Sequence, residues 1–264
     1  MRFPVAILLA LQLAVPAHAL VVCADPNNLP FSNRQGQGFE NRLVTLLARD
    51  LHVTVQYVWW AQRRGFARHT LVPQGCDLWP GVASGTEGML TSQPYYRSSY
   101  MFVTRRSSAL EHLSLDDPRL RVLTVGVQLV GFDATNTPPA QALAARGITH
   151  NVRGFSLFGD YTQPNPPARI IAAVADGTID VALVWGPLAG YFAQRSSVPL
   201  RLEAIEDDGT WTMEYDIALG MRRDQGDLRE RFDAALVAER QNIARLLQSY
   251  HIPRLPLAIE AASR

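Results

Sequence analysis

Apolar positions along the chain fall into short continuous or alternating runs separated by stretches with helical periodicity, the pattern of an α/β protein. An apolar run at Val22 passes straight into a polar loop rich in Pro and Asn, Cys23-Ala24-Asp25-Pro26-Asn27-Asn28-Leu29-Pro30-Phe31-Ser32-Asn33. In an α/β sheet such a loop lies at the carboxyl edge of the strand, where small ligands bind. Residues 39–51 follow as a helix, with Phe39, Leu43, Leu46, Leu47 and Leu51 on one face. Residues 53–59 alternate and are rich in β-branched and aromatic side chains, predicting a strand; 65–71 predict a short helix and 77–82 a third strand.

A strand over 100–104 closes this first unit, and the pattern then restarts. Strands are expected over 120–127 and 179–185, and helices over 138–146 and 168–175. A strand over 215–222 returns to the first unit, and a single helix over 228–249 ends at His251-Ile252-Pro253. The fold class is α/β, in two mixed-sheet domains: one over 20–105 plus 206–264, the other inserted over 106–205. Two strands form the hinge between them, and the ligand cleft is expected at their interface.

Residues 1–19 change the setting. Arg2, the apolar run from Val5 to Val15 and Ala17-His18-Ala19 form a secretory signal peptide cleaved after Ala19. The run is too short to span a bilayer, so the expected product is periplasmic. Cys23 and Cys76 suit an oxidising compartment. Both precede apolar strand-like runs, and parallel neighbouring strands would bring them together as a disulfide; two buried thiols are the alternative. The formal charge of +1 on 264 residues argues against nucleic acid, and all basic side chains are arginine.

Several blocks in order resemble the MoxJ/XoxJ family of the type II periplasmic binding protein superfamily. They are Cys23 to Asn33, Phe39-Glu40-Asn41, Val58-Trp59-Trp60-Ala61-Gln62-Arg63-Arg64-Gly65-Phe66, Pro94-Tyr95-Tyr96-Arg97-Ser98-Ser99-Tyr100, and the segment from Ile179 to Tyr191. The resemblance implies a bilobal, solute-binding-like, non-enzymatic helper without a cofactor of its own. It also implies a partner: a quinoprotein methanol or alcohol dehydrogenase that uses pyrroloquinoline quinone (PQQ), with its cytochrome c as a further candidate. A receptor subunit of an ABC transporter for a small ligand that is not an amino acid is the competing reading.

Amino-acid-binding relatives clamp the α-carboxylate with an arginine upstream of a block that here reads Thr91-Ser92-Gln93-Pro94-Tyr95, and the α-ammonium with an aspartate after a strand of the second domain. The corresponding positions here fall near Gly85 and at Trp185, so both charges are missing. A zwitterion without them loses hydration and recovers little. Arg63 taking over the carboxylate is the alternative.

Aromatic residues replace these charges. Phe31, Trp60, Tyr95, Tyr96 and Trp185 are candidate cleft residues, with Trp59 and Trp79 assigned to core packing. Asn27 and Asn28 are candidate polar contacts or plain turn chemistry. Arg63 and Arg64, beside Gln62 and Arg68, are charge complements for a partner or solvated positions. No zinc spacing, nucleophile elbow or Walker loop is present. Asp25 and Glu40 are the only early acid–base candidates, and Glu40 is assigned to a helix start, where its charge suits the dipole. The acidic turn at Glu206-Asp207-Asp208-Gly209 reads as a solvated loop.

Overall fold

A computed structural model describes residues 19–63, 65–71, 73–130, 136–156, 158 and 161–257. The leader expected over 1–19 lies, apart from Ala19, outside the described residues, as does Arg64. The chain opens with β1 (Leu20–Ala24), β2 (Asn27–Asn28), β3 (Ser32–Asn33), α1 (Phe39–Asp50), β4 (Val55–Trp59), α2 (Phe66–Thr70), β5 (Trp79–Ala83) and β6 (Leu90–Thr91). There follow β7 (Tyr96–Arg105), β8 (Val125–Leu129), α3 (Pro138–Ala145), β9 (Val152–Ser156), α4 (Ala168–Ala175), β10 (Val181–Trp185), α5 (Gly186–Ala193) and β11 (Leu200–Ala204). β12 (Glu214–Met221), α6 (Gly226–Ala238) and α7 (Arg240–Ser249) complete it.

β1 pairs with β4 in parallel, Leu20 opposite Val55 and Ala24 opposite Trp59. On its other side Val22 bridges Leu78 in parallel. This is the arrangement that the alternation of strand and helix predicts. It brings Cys23 beside Cys76, and the two form a disulfide. Beyond it, β5 joins a larger sheet in the order β5-β12-β7-β10-β8-β9.

β7 is the strand on which this order turns. Its residues 96–99 pair antiparallel with β12, and residues 100–104 pair antiparallel with β10. β11 runs along the opposite edge of that second half. A ten-residue strand thus serves two layers of helices.

The core follows from strand periodicity. In β10, Val181 and Leu183 face one cluster with Leu120, Val125, Ala142 and Leu143, while Ala182 and Val184 face another with Ile170, Ile171, Val174 and Leu188. Both faces are covered, so the strand reads as a continuous apolar run. Phe39, Leu43 and Leu47 of α1 pack against Phe232 of α6 and against Ile243 and Leu247 of α7.

Two expectations need correction. The strand expected over 120–127 begins late: Pro118–Arg121 is a 3-10 turn, capped by the Asp117 side chain accepting from the Arg119 amide, and β8 starts only at Val125. Proline fixes the φ that a helical start wants. The single helix expected over 228–249 is two, broken at Glu239. The apolar spacing keeps phase across the break, so periodicity does not reveal it. β9, α5 and β11 are additional elements. The 206–209 segment is an exposed loop, as expected, in which Asp208 accepts from the Thr210 and Trp211 amides and pairs with Arg146 at 3.0 Å.

The disulfide closes a separation of 53 residues. In the chain-entropy model a loop of that length contributes about 4 kcal/mol. Cys23→Ser/Cys76→Ser is therefore expected to lose about 4 kcal/mol in urea unfolding, and reductant should cost the wild type the same while leaving the variant unchanged.

Candidate functional site

The strand ends of both units meet around a cleft of about 330 Å³. Asn28, Phe31, Glu40, Gln62, Arg63, Trp79, Gly81 and Tyr96 line it from the first unit, and Gln128, Val130, Phe158 and Trp185 from the other. Tyr100 and Tyr215 line it where the units join. Trp185 ends β10 and packs edge-on against Tyr100 and Tyr215, with ring centroids 5.3 and 5.9 Å away. Its backbone N–H donates to Gln128 Oε1 at 3.5 Å. Tyr96, at the start of β7, is held edge-on to Phe39 at 6.0 Å. Phe31 tilts against the other side of Phe39 at 5.5 Å.

Glu40 is the chemically unusual member. It stands in the first turn of α1 and is 2% exposed. Its carboxyl fills the space where a side chain at position 81 would stand; a Cβ on Gly81 would come within 2.2 Å of Oε1. Burial without a compensating cation pushes the Glu40 pKa up to about 8. The helix-start position is as expected, but the burial that raises the pKa favours the neutral acid at pH 7 over the charged form expected there. Two more polar groups of the cleft wall are buried with no hydrogen-bond partner: Asn28 Oδ1 and Trp79 Nε1. Asn28 does donate through Nδ2 to Gln62 Oε1 at 3.0 Å.

The structure separates the residues singled out in the sequence. Asn28, Phe31, Arg63, Tyr96 and Trp185 come together in the cleft. Asn27 stands at its lip, where Nδ2 donates to the Gln163 carbonyl at 2.8 Å and Oδ1 accepts from the Asn165 amide at 3.3 Å. Trp60 does not line the cleft; it is 37% exposed and stacks on His69 with centroids 5.7 Å apart. Tyr95 does not line it either. Successive residues of an extended segment point to opposite sides, so with Tyr96 on the cleft Tyr95 packs into the first core and donates its hydroxyl to the Pro80 carbonyl at 2.8 Å.

Trp79 packs against the Cys23, Phe66, Leu71 and Cys76 cluster, as expected, and also lines the cleft. Asp25 is turn chemistry: its carboxylate accepts from the Asn27 amide at 2.8 Å and the Gln62 amide at 2.7 Å. The position expected for a carboxylate-binding arginine, Gly85, is an exposed turn at φ +75°. Arg97, the next arginine along the chain, is committed elsewhere: it pairs with Glu214 at 2.9 Å and Asp216 at 3.4 Å.

Gly81, Gln128, Tyr100 and Tyr215 were not among the sequence candidates for the cleft, and Glu40 and Trp79 were weighed there but assigned to a helix start and to the core. The available signals were a carboxylate on the apolar face of α1 and a Trp-Pro-Gly run at a strand start.

Glu40 makes stability depend on pH. Its folded pKa of about 8 lies above the unfolded 4.5, so its contribution is complete below about pH 4.5 and lost as pH rises to 8. Relative to Glu40→Gln, the wild type should lose roughly 4 kcal/mol across that window, measured by urea unfolding at pH 4.5, 6 and 8; equal slopes would show that Glu40 is ionised in the fold. Gly81→Ala is expected to displace the Glu40 side chain and cost about 1–3 kcal/mol in the same assay.

No family model matches this chain. Among curated proteins it is 32% identical to Protein MoxJ of Methylorubrum extorquens over 257 residues, covering 92% of this chain and 83% of that protein. It is 32% identical to Protein MoxJ of Paracoccus denitrificans, covering 94% of each. Its structure matches the crystal structure of the periplasmic binding protein XoxJ from Methylobacterium extorquens AM1 with a TM-score of 0.73 at 31% identity, over 90% of this chain and all of that one. An ancestral cationic amino acid solute-binding protein shares the fold alone, at 19% identity and a TM-score of 0.66 over 88% of this chain and 95% of that one. Two mixed-sheet domains around one cleft, joined through β7, are the bilobal type II periplasmic binding protein fold, and on this sequence and structural likeness the chain belongs to the MoxJ/XoxJ family.

Proposed function

We propose that this chain is an exported, non-catalytic helper that docks on a PQQ-dependent methanol or alcohol dehydrogenase in the periplasm and assists its maturation or activation. The observation that carries the reading is family membership along almost the whole chain, 32% identity over 92% of it. The cleft supports it, because both charges that would hold an amino acid are absent while aromatic side chains line the walls. Tryptophan and tyrosine dominate protein-interface hot spots. Trp185, Tyr96 and Phe31 are the apolar contacts in this reading, with Asn28 and Arg63 as polar ones. The Cys23–Cys76 disulfide suits an oxidising compartment. No helix among the described residues is long and apolar enough to cross a membrane.

A receptor of an ABC transporter is the second reading. It is favoured by the Asn27 side chain, which bonds across the cleft as a closing receptor requires.

The test is a pull-down from periplasm with tagged mature protein, beside Trp185→Ala of matched thermal stability. The wild type is expected to recover a quinoprotein dehydrogenase, and the variant at least tenfold less. A wild type that recovers none overturns the helper reading, and a copurifying small molecule then favours the receptor. Equal recovery by both proteins moves the docking surface away from the cleft.

A further inference from the structure

Among the described residues the cleft holds two polar atoms without a hydrogen-bond partner and, beside them, a buried carboxyl. Asn28 Oδ1 is a buried acceptor and Trp79 Nε1 a buried donor, each without a partner. The Glu40 carboxyl lies in the same wall. Trp79 and Gly81 are two residues apart on β5 and so share a face of that strand. The Glu40 carboxyl occupies the side-chain space of Gly81, on the face of β5 that also carries Trp79. Buried polar groups are ordinarily paired, and each orphan in a native structure asks for an explanation. Two in the wall of one cavity, beside the Glu40 carboxyl and the rings of Phe31, Tyr96 and Trp185, have a common one.

We propose that the cleft binds a small uncharged molecule with a hydrogen-bond acceptor and donor side by side on a flat apolar body, of which a primary carboxamide is the simplest form. Its acceptor oxygen takes the hydrogen bonds of the Glu40 carboxylic acid and the Trp79 indole. Its donor answers Asn28 Oδ1 and the Glu40 carbonyl oxygen. The flat body stacks among the aromatic side chains. Charge is selected against from both sides. A cation meets a protonated Glu40, and a carboxylate gives up its hydration and has no N–H to answer Asn28 Oδ1. Among the described lining residues Arg63 is the one cation.

Glu40 remains a donor at neutral pH because burial raises its pKa to about 8. The other groups that face it are Tyr57 from β4 and Tyr95 and Tyr96 at the start of β7. Burial raises all three phenols above their ordinary value, so Glu40 alone among them titrates between pH 6 and 9. This inference goes beyond docking on a dehydrogenase and stands on the cleft alone. Its failure leaves the pull-down result untouched, and the reverse also holds.

Benzamide, benzoate and benzamidinium form a test set of nearly one shape and three charges. Calorimetry on the mature protein at pH 6 should show benzamide binding at least tenfold more tightly than either ion. At pH 9, with Glu40 ionised and its donor lost, benzamide should bind at least fivefold more weakly. Glu40→Gln keeps a donor and an acceptor, so it should bind benzamide within threefold of the wild type and lose the pH dependence. Trp79→Phe should weaken benzamide about tenfold; if that variant does not fold, the wild type and Glu40→Gln decide. Either ion binding as tightly as benzamide, none of the three binding, or a pH dependence that survives in Glu40→Gln would each overturn the proposal.

Discussion

The backbone pairing of β7 is the constraint from which the rest of the molecule takes its form. One strand gives residues 96–99 to β12 and residues 100–104 to β10. Helix layers from two separate parts of the chain are thereby held on one continuous hydrogen-bonded line, and the cleft opens where the strand passes between them. Side chains at this crossing cannot be chosen freely. Arg97 pairs across the strands with Asp216, its register partner, and with Glu214. An arginine used in this way braces the junction and is lost to the cleft. Trp185, Tyr100 and Tyr215 fill the same crossing from the cleft side with edge-on contacts.

Glu40 shows how a carboxyl can be kept uncharged by its surroundings. A glycine at position 81 clears space for it, α1 carries it into the wall, and no positive group among the described residues compensates it. A carboxylic acid in that state, like a primary amide, offers a donor and a carbonyl acceptor side by side. The cleft consequently combines apolar surface with neutral polar groups and a single described cation, Arg63. That combination lacks the two opposite charges that hold a zwitterion, in keeping with the absence of charge at Gly85 and Trp185.

Much of this architecture is legible in the sequence, and what is hidden has identifiable causes. α1 and β10 are readable because one face or both faces are uniformly apolar, and the pairing of Cys23 with Cys76 follows from parallel strands β1 and β5 lying side by side. The break at Glu239 is hidden because Phe232, Leu236, Ile243 and Leu247 continue one spacing through it. Tyr95 and Tyr96 look equivalent as neighbours, yet an extended segment sends them to opposite sides. Trp60 lies beyond the end of β4 and turns outward onto His69. Glu40 is the instructive omission: a helix-start carboxylate ordinarily faces solvent, and only the tertiary packing of Gly81 against it reverses that environment.

The Asn27 side chain has a kinetic meaning. Two of its bonds, to the Gln163 carbonyl and the Asn165 amide, are formed at a lip that water reaches. Hydrogen bonds of this kind contribute about 1 kcal/mol each, so the pair favours contact of the lips over separation by roughly thirtyfold. A few per cent of molecules would then be parted at any moment if these bonds alone held the lips. Such a fastening sets a resting posture without sealing the interior, and entry would be governed by rapid breathing of the two lobes rather than by a slow gate.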